Sequence, residues 1–210
     1  MPMPAIKGYY FVTGEGISRH GDVYDVRQAI RCGVSAVQYR NKTGTAKIFY
    51  EEALRLRRIC MATIFIINDR IEIALAVSAD GVHIGQEDVP VSIARRLLGK
   101  KKIIGVSVST FGQAQSACRD GADYLGIGPI YATTTKRDAH KPTGAGLIAR
   151  IKKDLNIPVA VIGGITLSNA PQVIAAGADA LCAISSVVTK PDVARQIRAF
   201  QALFDKKAGR

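Results

Sequence analysis

The sequence has no tryptophan, and aromatic residues make up only 6% of its 210 positions. It also lacks any nucleic-acid-binding motif, so its net charge of +12 does not point to a polynucleotide ligand. The lysines and arginines occur in short, scattered clusters, which are typical of solvated helix faces. Anionic small molecules remain as partners that such a charge would favour, and we expect no nucleic-acid partner.

Long apolar runs and paired cysteines are also absent. No apolar run reaches the length of about 18 residues that a membrane-spanning helix needs, and the first residues lack the pattern of a signal peptide. We therefore expect a soluble cytoplasmic protein with no membrane partner. The cysteines are far apart and form no C-x-x-C pair, which predicts reduced, mostly buried thiols rather than a metal site.

Short β-rich runs alternate along the chain with longer segments of helical period. Several of these runs are continuously apolar, as expected for parallel strands covered on both faces. The predicted strands are Tyr9–Thr13, Ala36–Arg40, Ile64–Asn68, Gly81–Ile84, Ile103–Val108, Tyr124–Gly128, Val159–Ile162 and Ala180–Ile184. The predicted helices are a segment in which Phe49, Ala53, Leu56 and Cys60 recur at helical spacing, then Ile71–Val77, Val91–Leu98, Gln113–Asp120, Leu147–Leu155, Ser168–Ala176 and Asp192–Phe204.

A weak internal repeat supports this count of βα units. Gly-Ala-Asp occurs at 121–123 and again at 177–179, each time between a predicted helix and a predicted strand, where glycine can end the helix. Eight units with no domain break predict an α/β fold of one domain, a (β/α)8 TIM barrel over residues 1–210. An open doubly wound sheet is the alternative. In a barrel, the active site lies at the carboxyl ends of the strands.

Charged side chains follow the second, third and fourth predicted strands. Gln38 and Arg40 alternate onto one face of the second strand, and Arg40 with Lys42 suits a phosphate group, although a network of strand-end salt bridges is the alternative. Asp69 and Asp88 follow successive strands and could point at one ion. Two carboxylates with substrate phosphates are a usual way to hold Mg²⁺. Asp69 could instead cap the next helix.

The later strands end in residues that suit a second anion. The segment 128–146 is much longer than an ordinary βα loop, and its hydroxyls and Lys136 could neutralise phosphate. Gly163-Gly164 and Ser185 follow the seventh and eighth strands, where the recurrent phosphate site of barrels is found. Ser107 could bind substrate or cap a turn, and His83 is interpreted as a packing or hydrogen-bonding residue. Two separate anion sites suggest two anionic substrates.

In their order along the chain, these segments resemble the thiamine-phosphate synthase family over almost the whole sequence. The resemblance rests on residues 38–42 (QYRNK), 68–70 (NDR), 80–88 (DGVHIGQED), 128–136 (GPIYATTTK) and 163–165 (GGI). Ala132, where the family often has proline, is the one visible variation. The family couples hydroxymethylpyrimidine pyrophosphate to hydroxyethylthiazole phosphate, which yields thiamine phosphate and pyrophosphate.

The resemblance implies a role for each candidate residue. It implies that the pyrimidine pyrophosphate contacts Gln38, Tyr39, Arg40, Asn41, Lys42, Asn68, Ser107 and Lys136. It implies that the thiazole phosphate contacts Thr133, Thr135, Gly164, Ile184 and Ser185, and that a Mg²⁺ cofactor is ligated by Asp69 and Asp88. The expected catalytic residues are Arg40, Lys42, Ser107 and Lys136. Pyrophosphate is expected to leave first, which agrees with the lack of a Ser-His-Asp or Cys-His signature.

Two other functions stay open at this point. Thiazole tautomerases are barrel relatives that lack the coupling activity, and they resemble the synthase in fold. The second alternative is a catalytically silent barrel that binds phosphorylated ligands. Asp69, Asp88 and Lys136 favour the synthase over the tautomerase, and both acidic residues together with the long loop after the sixth strand favour it over the silent barrel. The sequence leaves the oligomeric state undetermined, with a homo-oligomer as one option.

Overall fold

The computed structural model describes residues 6–133 and 142–208, in which nine parallel strand segments form one sheet. No helix in these two ranges is long and apolar enough to cross a membrane. The strands are β1 (Gly8–Tyr9), β2 (Phe11–Val12), β3 (Ala36–Tyr39), β4 (Ile64–Asn68), β5 (Gly81–Ile84), β6 (Ile103–Val108), β7 (Tyr124–Ile127), β8 (Val159–Ile162) and β9 (Ala180–Cys182). Their order in the sheet is β1-β9-β8-β7-β6-β5-β4-β3-β2.

The sheet closes on itself through residues 8–12. β1 and β2 are separated only by Tyr10, yet they pair with opposite edges of the sheet, Gly8–Tyr9 beside β9 and Phe11–Val12 beside β3. The Tyr10 N–H donates to the Leu181 carbonyl oxygen at 2.9 Å, so the strand changes partner at this residue. The two segments are therefore one strand of an eight-stranded parallel barrel. The predicted (β/α)8 barrel is confirmed, and the open-sheet alternative is wrong.

Helices cover the outside of the barrel. Two of them are absent from the sequence prediction. The first, Asp22–Arg31, buries Val26 and Ala29, and it begins with acidic and ends with basic side chains, as its dipole favours. The other is the single turn Ser185–Val188. The helices of the described residues are α1 (Asp22–Arg31), α2 (Ala46–Ile59), α3 (Ile71–Ala76), α4 (Val91–Leu98), α5 (Phe111–Arg119), α6 (Gly146–Asp154), α7 (Ala170–Ala175), α8 (Ser185–Val188) and α9 (Val193–Ala208).

Strand side chains alternate between two apolar layers. Along β4, Phe65 and Ile67 belong to the layer between the barrel and its helices, whereas Ile64 and Ile66 fill the barrel interior. Each layer therefore takes alternate residues of a strand. The inward positions nearest the carboxyl ends of the strands face the barrel mouth, so the alternation decides which side chains can reach a ligand there.

An aspartate clamps the amino end of β5, of β7 and of β9. Each of the three side chains accepts a hydrogen bond from a backbone N–H of the preceding strand. Each also forms an ion pair with a basic side chain of the helix that leads into that preceding strand. The sets are Asp80 with the Phe65 N–H and Arg57, Asp123 with the Ile104 N–H and Arg95, and Asp179 with the Val159 N–H and Lys152. Two of the aspartates belong to the Gly-Ala-Asp repeat, which is therefore a structural element at the end of the barrel away from the mouth.

Replacing Asp123 by alanine should destabilise the barrel. The change leaves the Ile104 N–H and the mostly buried Arg95 guanidinium without their carboxylate, so we expect the free energy of unfolding to fall by about 1–3 kcal/mol. The matched control is Asp120→Ala, whose exposed carboxylate lies 3.8 Å from Arg119 and should cost less than about 0.5 kcal/mol. Urea unfolding measures the free energy of unfolding of both variants. Equal decreases in the two variants would contradict a stabilising role for the Asp123 contacts.

Candidate active site

The carboxyl ends of β3, β4 and β5 bring together the side chains that the sequence assigns to the first anion site. Lys42 follows β3, and its Nζ lies 3.6 Å from Oδ2 of Asp69, which follows β4. Asp69 lies close enough to Asp88, after β5, for the two carboxyl groups to share a hydrogen bond. The positive charge of Arg40 also reaches Asp69. The four residues form one charged cluster at the barrel mouth.

The surroundings of Asp69 disfavour a negative charge. Burial contributes most, followed by the charge of Asp88 and the hydrogen bond with it, while Lys42 and Arg40 act in the opposite direction. These causes together raise the pKa of Asp69 from 3.8 to about 6. The alternative role of Asp69 as a helix cap is not realised, because Arg70 occupies the N-cap position of α3 and the helix has no capping side chain.

The Asp69–Asp88 pair fits a divalent cation whose coordination is completed by substrate. Within residues 6–133 and 142–208, no group of three or more Asp, Glu, His or Cys side chains could hold a metal ion by itself. Mg²⁺ is commonly held by only one or two carboxylates, together with phosphate oxygens and water. The nearby Asp88 carboxyl is one cause of the raised pKa of Asp69, and a divalent cation would compensate this repulsion, so the donor set suits Mg²⁺.

Glu15 belongs to this site, although no pattern in the sequence marks it. It lies between β2 and α1 and accepts hydrogen bonds from the Lys42 N–H at 2.7 Å, the Thr43 N–H at 2.8 Å and the Thr43 hydroxyl at 2.6 Å. Its Oε2 lies 3.6 Å from Nη1 of Arg40. Burial alone would raise the pKa of Glu15, but these hydrogen bonds and the Arg40 charge outweigh it and lower the pKa. A charged Glu15 therefore organises the loop after β3.

Two of the implied substrate contacts, Tyr39 and Asn41, have side chains outside the barrel interior. The Tyr39 ring packs against Phe49 with 4.6 Å between ring centroids, and its hydroxyl donates to Glu52 of α2. The Asn41 amide donates to the same hydroxyl and to Glu52, both at 3.3 Å, and its oxygen accepts from the Thr43 N–H at 3.0 Å. These side chains hold the loop after β3, and their contact with substrate stays a prediction.

Gln38, Asn68 and Ser107 lie at inward positions, as the alternation along their strands predicts. Gln38 is 5% exposed and Asn68 is 8% exposed, so both amides are buried just below the mouth. The Gln38 Nε2 atom donates to the Tyr10 hydroxyl at 2.9 Å. Ser107 Oγ lies 2.9 Å from His83 Nε2, which shows His83 as a hydrogen-bonding residue of the interior.

The residues that the sequence assigns to the second anion site lie at the ends of β8 and β9. Gly163 and Gly164 follow β8 with positive φ angles of 98° and 66°, and the loop after β7 passes directly over them. A Cβ atom at Gly164 would lie 2.6 Å from the Ala132 carbonyl oxygen, so the loop can approach only a glycine. Ser185 is exposed at the first position of α8, next to the partly buried Ile184. The structure thus brings Gly164, Ile184 and Ser185 to one rim of the barrel.

Three further implied contacts belong to the loop after β7. In its described part, the Tyr131 N–H donates to the Gly163 carbonyl oxygen at 3.0 Å, which keeps the loop beside the end of β8. Thr133 is the last residue described before residue 142. Thr135 and Lys136 lie outside the described residues, so their roles stay predictions from the sequence.

Comparison with known protein families agrees with this geometry. A model of the thiamine monophosphate synthase family matches residues 9–187. The chain belongs to this family. It is accordingly a transferase of thiamine biosynthesis.

The similarity to individual members of the thiamine monophosphate synthase family extends over nearly the whole chain. The thiamine-phosphate synthase of Methanosarcina barkeri is 49% identical over 193 residues, which cover 91% of this chain and 88% of the relative. That of Chloroflexus aurantiacus is 47% identical over 207 residues, which cover 95% and 94%. Among solved structures, a thiamine phosphate pyrophosphorylase from Pyrococcus furiosus matches with a TM-score of 0.86 at 33% identity, over 96% of this chain and 97% of that chain.

The raised pKa of Asp69 predicts a pH-dependent cost to stability. The unfolded chain releases this proton near the ordinary value of 3.8, and the folded protein releases it only near about 6. The folded state therefore loses stability as the pH rises through that window, and the loss is complete above it. Asp69→Asn removes the charge and suits the positive φ of 61°. In metal-free buffer at about pH 7.5, we expect this variant to be more stable by about 1–3 kcal/mol.

Urea unfolding of the wild type and of Asp69→Asn at about pH 4 and about pH 7.5 measures this effect. The increase in the free energy of unfolding of Asp69→Asn over the wild type should appear at the higher pH and nearly vanish at the lower pH. Asp154→Asn, at an exposed aspartate of α6, is the matched control and should change little at either pH. A gain for Asp69→Asn that is larger under acidic conditions would contradict the raised pKa.

Proposed function

We propose that this member of the family is a Mg²⁺-dependent synthase that couples 4-amino-5-hydroxymethyl-2-methylpyrimidine pyrophosphate with hydroxyethylthiazole phosphate. The products are thiamine phosphate and pyrophosphate, and the enzyme acts in the cytoplasm on these small phosphorylated substrates. The observation that carries the proposal is the cluster of Arg40, Lys42, Asp69 and Asp88 at the barrel mouth. The glycine-lined end of β8 at the same mouth supports a separate place for the second anion.

In this proposal the pyrimidine pyrophosphate binds at the ends of β3, β4 and β5. The Arg40 guanidinium binds phosphate oxygens through paired N–H groups, and the Lys42 ammonium adds a point charge. Asp69 and Asp88 hold Mg²⁺, which when bound supplies positive charge to the leaving pyrophosphate. Glu15 keeps Arg40 and the Lys42 backbone in place before substrate arrives, because it contacts both.

The thiazole phosphate binds at the ends of β7, β8 and β9. Backbone N–H groups near Gly164 and the Ser185 hydroxyl suit a phosphate at the position where barrels commonly hold one. Thr133 and Thr135 add hydroxyl groups from the loop after β7, and Ile184 lies next to Ser185 on the same rim. The two substrates then meet across the mouth with their reacting atoms between the two anion sites.

Pyrophosphate leaves before the new bond forms. The bond between the methylene carbon and the bridging oxygen breaks, and its electron pair leaves with the pyrophosphate, whose charge Arg40, Lys42 and Lys136 stabilise. The electron-rich aminopyrimidine stabilises the cation that remains. The thiazole nitrogen then donates its lone pair to the methylene carbon and becomes a thiazolium nitrogen. No proton is removed in these steps, so the protein supplies neither a nucleophile nor a general base.

Pyrophosphate release with both substrates and Mg²⁺ tests the proposal. The wild type should release pyrophosphate only when both substrates and the metal are present. Asp88→Asn keeps an acceptor for the Gly85 N–H but removes a charge that holds the metal, so kcat/KM should fall by about 100-fold or more. The matched control is Glu72→Gln, which removes an exposed carboxylate of α3 and should leave kcat/KM within about twofold.

The same assay separates the other two functions. A thiazole tautomerase isomerises its substrate without releasing pyrophosphate, and a binding-only barrel releases none. Well-folded wild type that binds both substrates but releases no pyrophosphate would therefore exclude the synthase. Equal losses in Asp88→Asn and Glu72→Gln would exclude the assigned metal position.

The order of bond breaking is tested with substituted pyrimidines. An electron-withdrawing group in place of the 2-methyl group destabilises the cation, so the single-turnover rate should fall by about 100-fold or more. The binding of such an analogue should change much less than its rate. An unchanged or faster rate would indicate that the thiazole nitrogen attacks while the pyrophosphate is still bonded.

A further inference from the structure

Below the mouth, the barrel interior contains an unbroken chain of hydrogen-bonded side chains. It begins at Gln38, whose Nε2 donates to the Tyr10 hydroxyl at 2.9 Å, and continues to the Tyr124 hydroxyl at 3.0 Å. From Tyr124 it passes to His83 Nδ1 at 2.8 Å, and from His83 Nε2 to Ser107 Oγ at 2.9 Å. The two ends of the chain, Gln38 and Ser107, are residues that the family resemblance assigns to the pyrimidine pyrophosphate of the proposed reaction. The three residues between them have no role in it so far.

Two glycines of the neighbouring strands make room for the aromatic rings of this chain. A Cβ atom at Gly105 would lie 2.0 Å from Cζ of Tyr124, and one at Gly126 would lie 2.6 Å from Cε1 of His83. The rings also contact each other, with centroids 5.4 Å apart for His83 and Tyr124. Any larger residue at these two positions would displace the rings, so the interior is shaped around them.

The two tyrosine hydroxyls of the chain find their hydrogen-bond partners inside the barrel. Tyr10 is 1% exposed and Tyr124 is 2% exposed, so neither hydroxyl has bulk water as an alternative partner. Burial raises the pKa of both tyrosines above the ordinary value, and both therefore keep their protons. Each hydroxyl then has a single proton to donate, and the direction of one hydrogen bond determines the direction of the next.

The available protons determine the direction in which the hydrogen bonds of the chain are donated. Since the Gln38 amide nitrogen donates to Tyr10, the Tyr10 proton goes to Tyr124, and the Tyr124 proton goes to His83 Nδ1. His83 is then the neutral tautomer with its proton on Nε2, which donates to Ser107 Oγ. A doubly protonated His83 would leave one tyrosine proton without an acceptor in the chain. The direction reverses if the Gln38 amide turns its oxygen towards Tyr10.

We propose that Tyr10, Tyr124 and His83 are positioning residues that act through Ser107, by leaving its hydroxyl proton free to donate to the pyrophosphate of the first substrate. The same chain holds the Gln38 amide with its nitrogen inward, which leaves its oxygen as the acceptor for a donor on the pyrimidine. The inference rests on the proposed function for the identity of the substrate. The hydrogen-bonded chain inside the barrel thereby makes Ser107 a donor and Gln38 an acceptor before substrate binds.

A double-mutant cycle tests whether Tyr124 acts through Ser107. In the wild-type background, Tyr124→Phe should lower kcat/KM for the pyrimidine pyrophosphate by about tenfold and leave KM for the thiazole phosphate within about twofold. In the Ser107→Ala background, the same change should alter kcat/KM by less than about twofold, because no hydroxyl remains to be positioned. Equal losses in the two backgrounds would overturn the proposal.

Two further variants separate positioning from a loss of packing. Tyr10→Phe breaks the same chain one step further away and should also lower kcat/KM for the pyrimidine pyrophosphate, while KM for the thiazole phosphate stays within about twofold. Tyr9→Phe is the matched control, since it removes a buried hydroxyl from the same strand that points outward and donates to the Ala183 carbonyl oxygen at 3.0 Å. It should leave kinetics with the pyrimidine pyrophosphate unchanged. Similar effects of Tyr9→Phe and Tyr10→Phe on this substrate would overturn the proposal.

The tautomer of His83 provides a readout that does not depend on activity. Long-range ¹H–¹⁵N spectra, with the His83 signals identified from a His83→Gln variant, should show the neutral form with its proton on Nε2 in the wild type and a mixture of tautomers in Tyr124→Phe. A proton on Nδ1 in the wild type would overturn the assigned direction. If the wild type shows the expected tautomer but no synthase activity, the proposed function fails and the direction of the chain stands.

Discussion

The barrel depends on residues 8–12, which pair with two edges of the same sheet. A parallel sheet has unpaired backbone groups at each edge, and covering both of its faces removes the water that could satisfy them. Here Gly8–Tyr9 satisfies the edge at β9, and Phe11–Val12 satisfies the edge at β3. Closure brings the ends of β3–β5 into one ring with the ends of β7–β9. The two groups of candidate site residues share one mouth only because this ring is closed.

The two ends of the barrel carry different electrostatic arrangements. At the amino ends of the strands, aspartates such as Asp123 each meet a backbone N–H and a basic side chain, so their charges are compensated. At the mouth, Asp69 faces a second carboxylate and is partly buried, which is unfavourable in the absence of a cation or substrate. Between these ends, the interior contains the buried hydroxyl groups of Tyr10 and Tyr124. Their burial is tolerated because each hydroxyl has a hydrogen-bond partner. The compensated aspartates and the candidate ligand-binding residues thus lie at opposite ends of the barrel axis.

Most of the fold follows from local patterns in the sequence. Continuous apolar runs place the strands, and four of them, for example Ile103–Val108, begin and end at the predicted residues. The first helix, Asp22–Arg31, escapes prediction although Val26 and Ala29 are buried, because its apolar face is narrow and polar residues surround it. Closure also has no local signal, since the division of residues 8–12 between two neighbours depends on strands far away in the chain.

The candidate site likewise has features that the sequence predicts and features that only the tertiary structure shows. The residue types at the strand ends, such as Arg40 and Asp69, predict a mouth that suits anions and a metal, because their spacing follows the strands and can be read from the sequence. The sequence also identifies the family through these segments. Only the tertiary structure shows that Glu15 orders the loop after β3, that Tyr39 turns away from the interior, and that Tyr10 joins Gln38 to Tyr124. These contacts join distant segments whose relative positions are decided by barrel closure, and no local pattern encodes them.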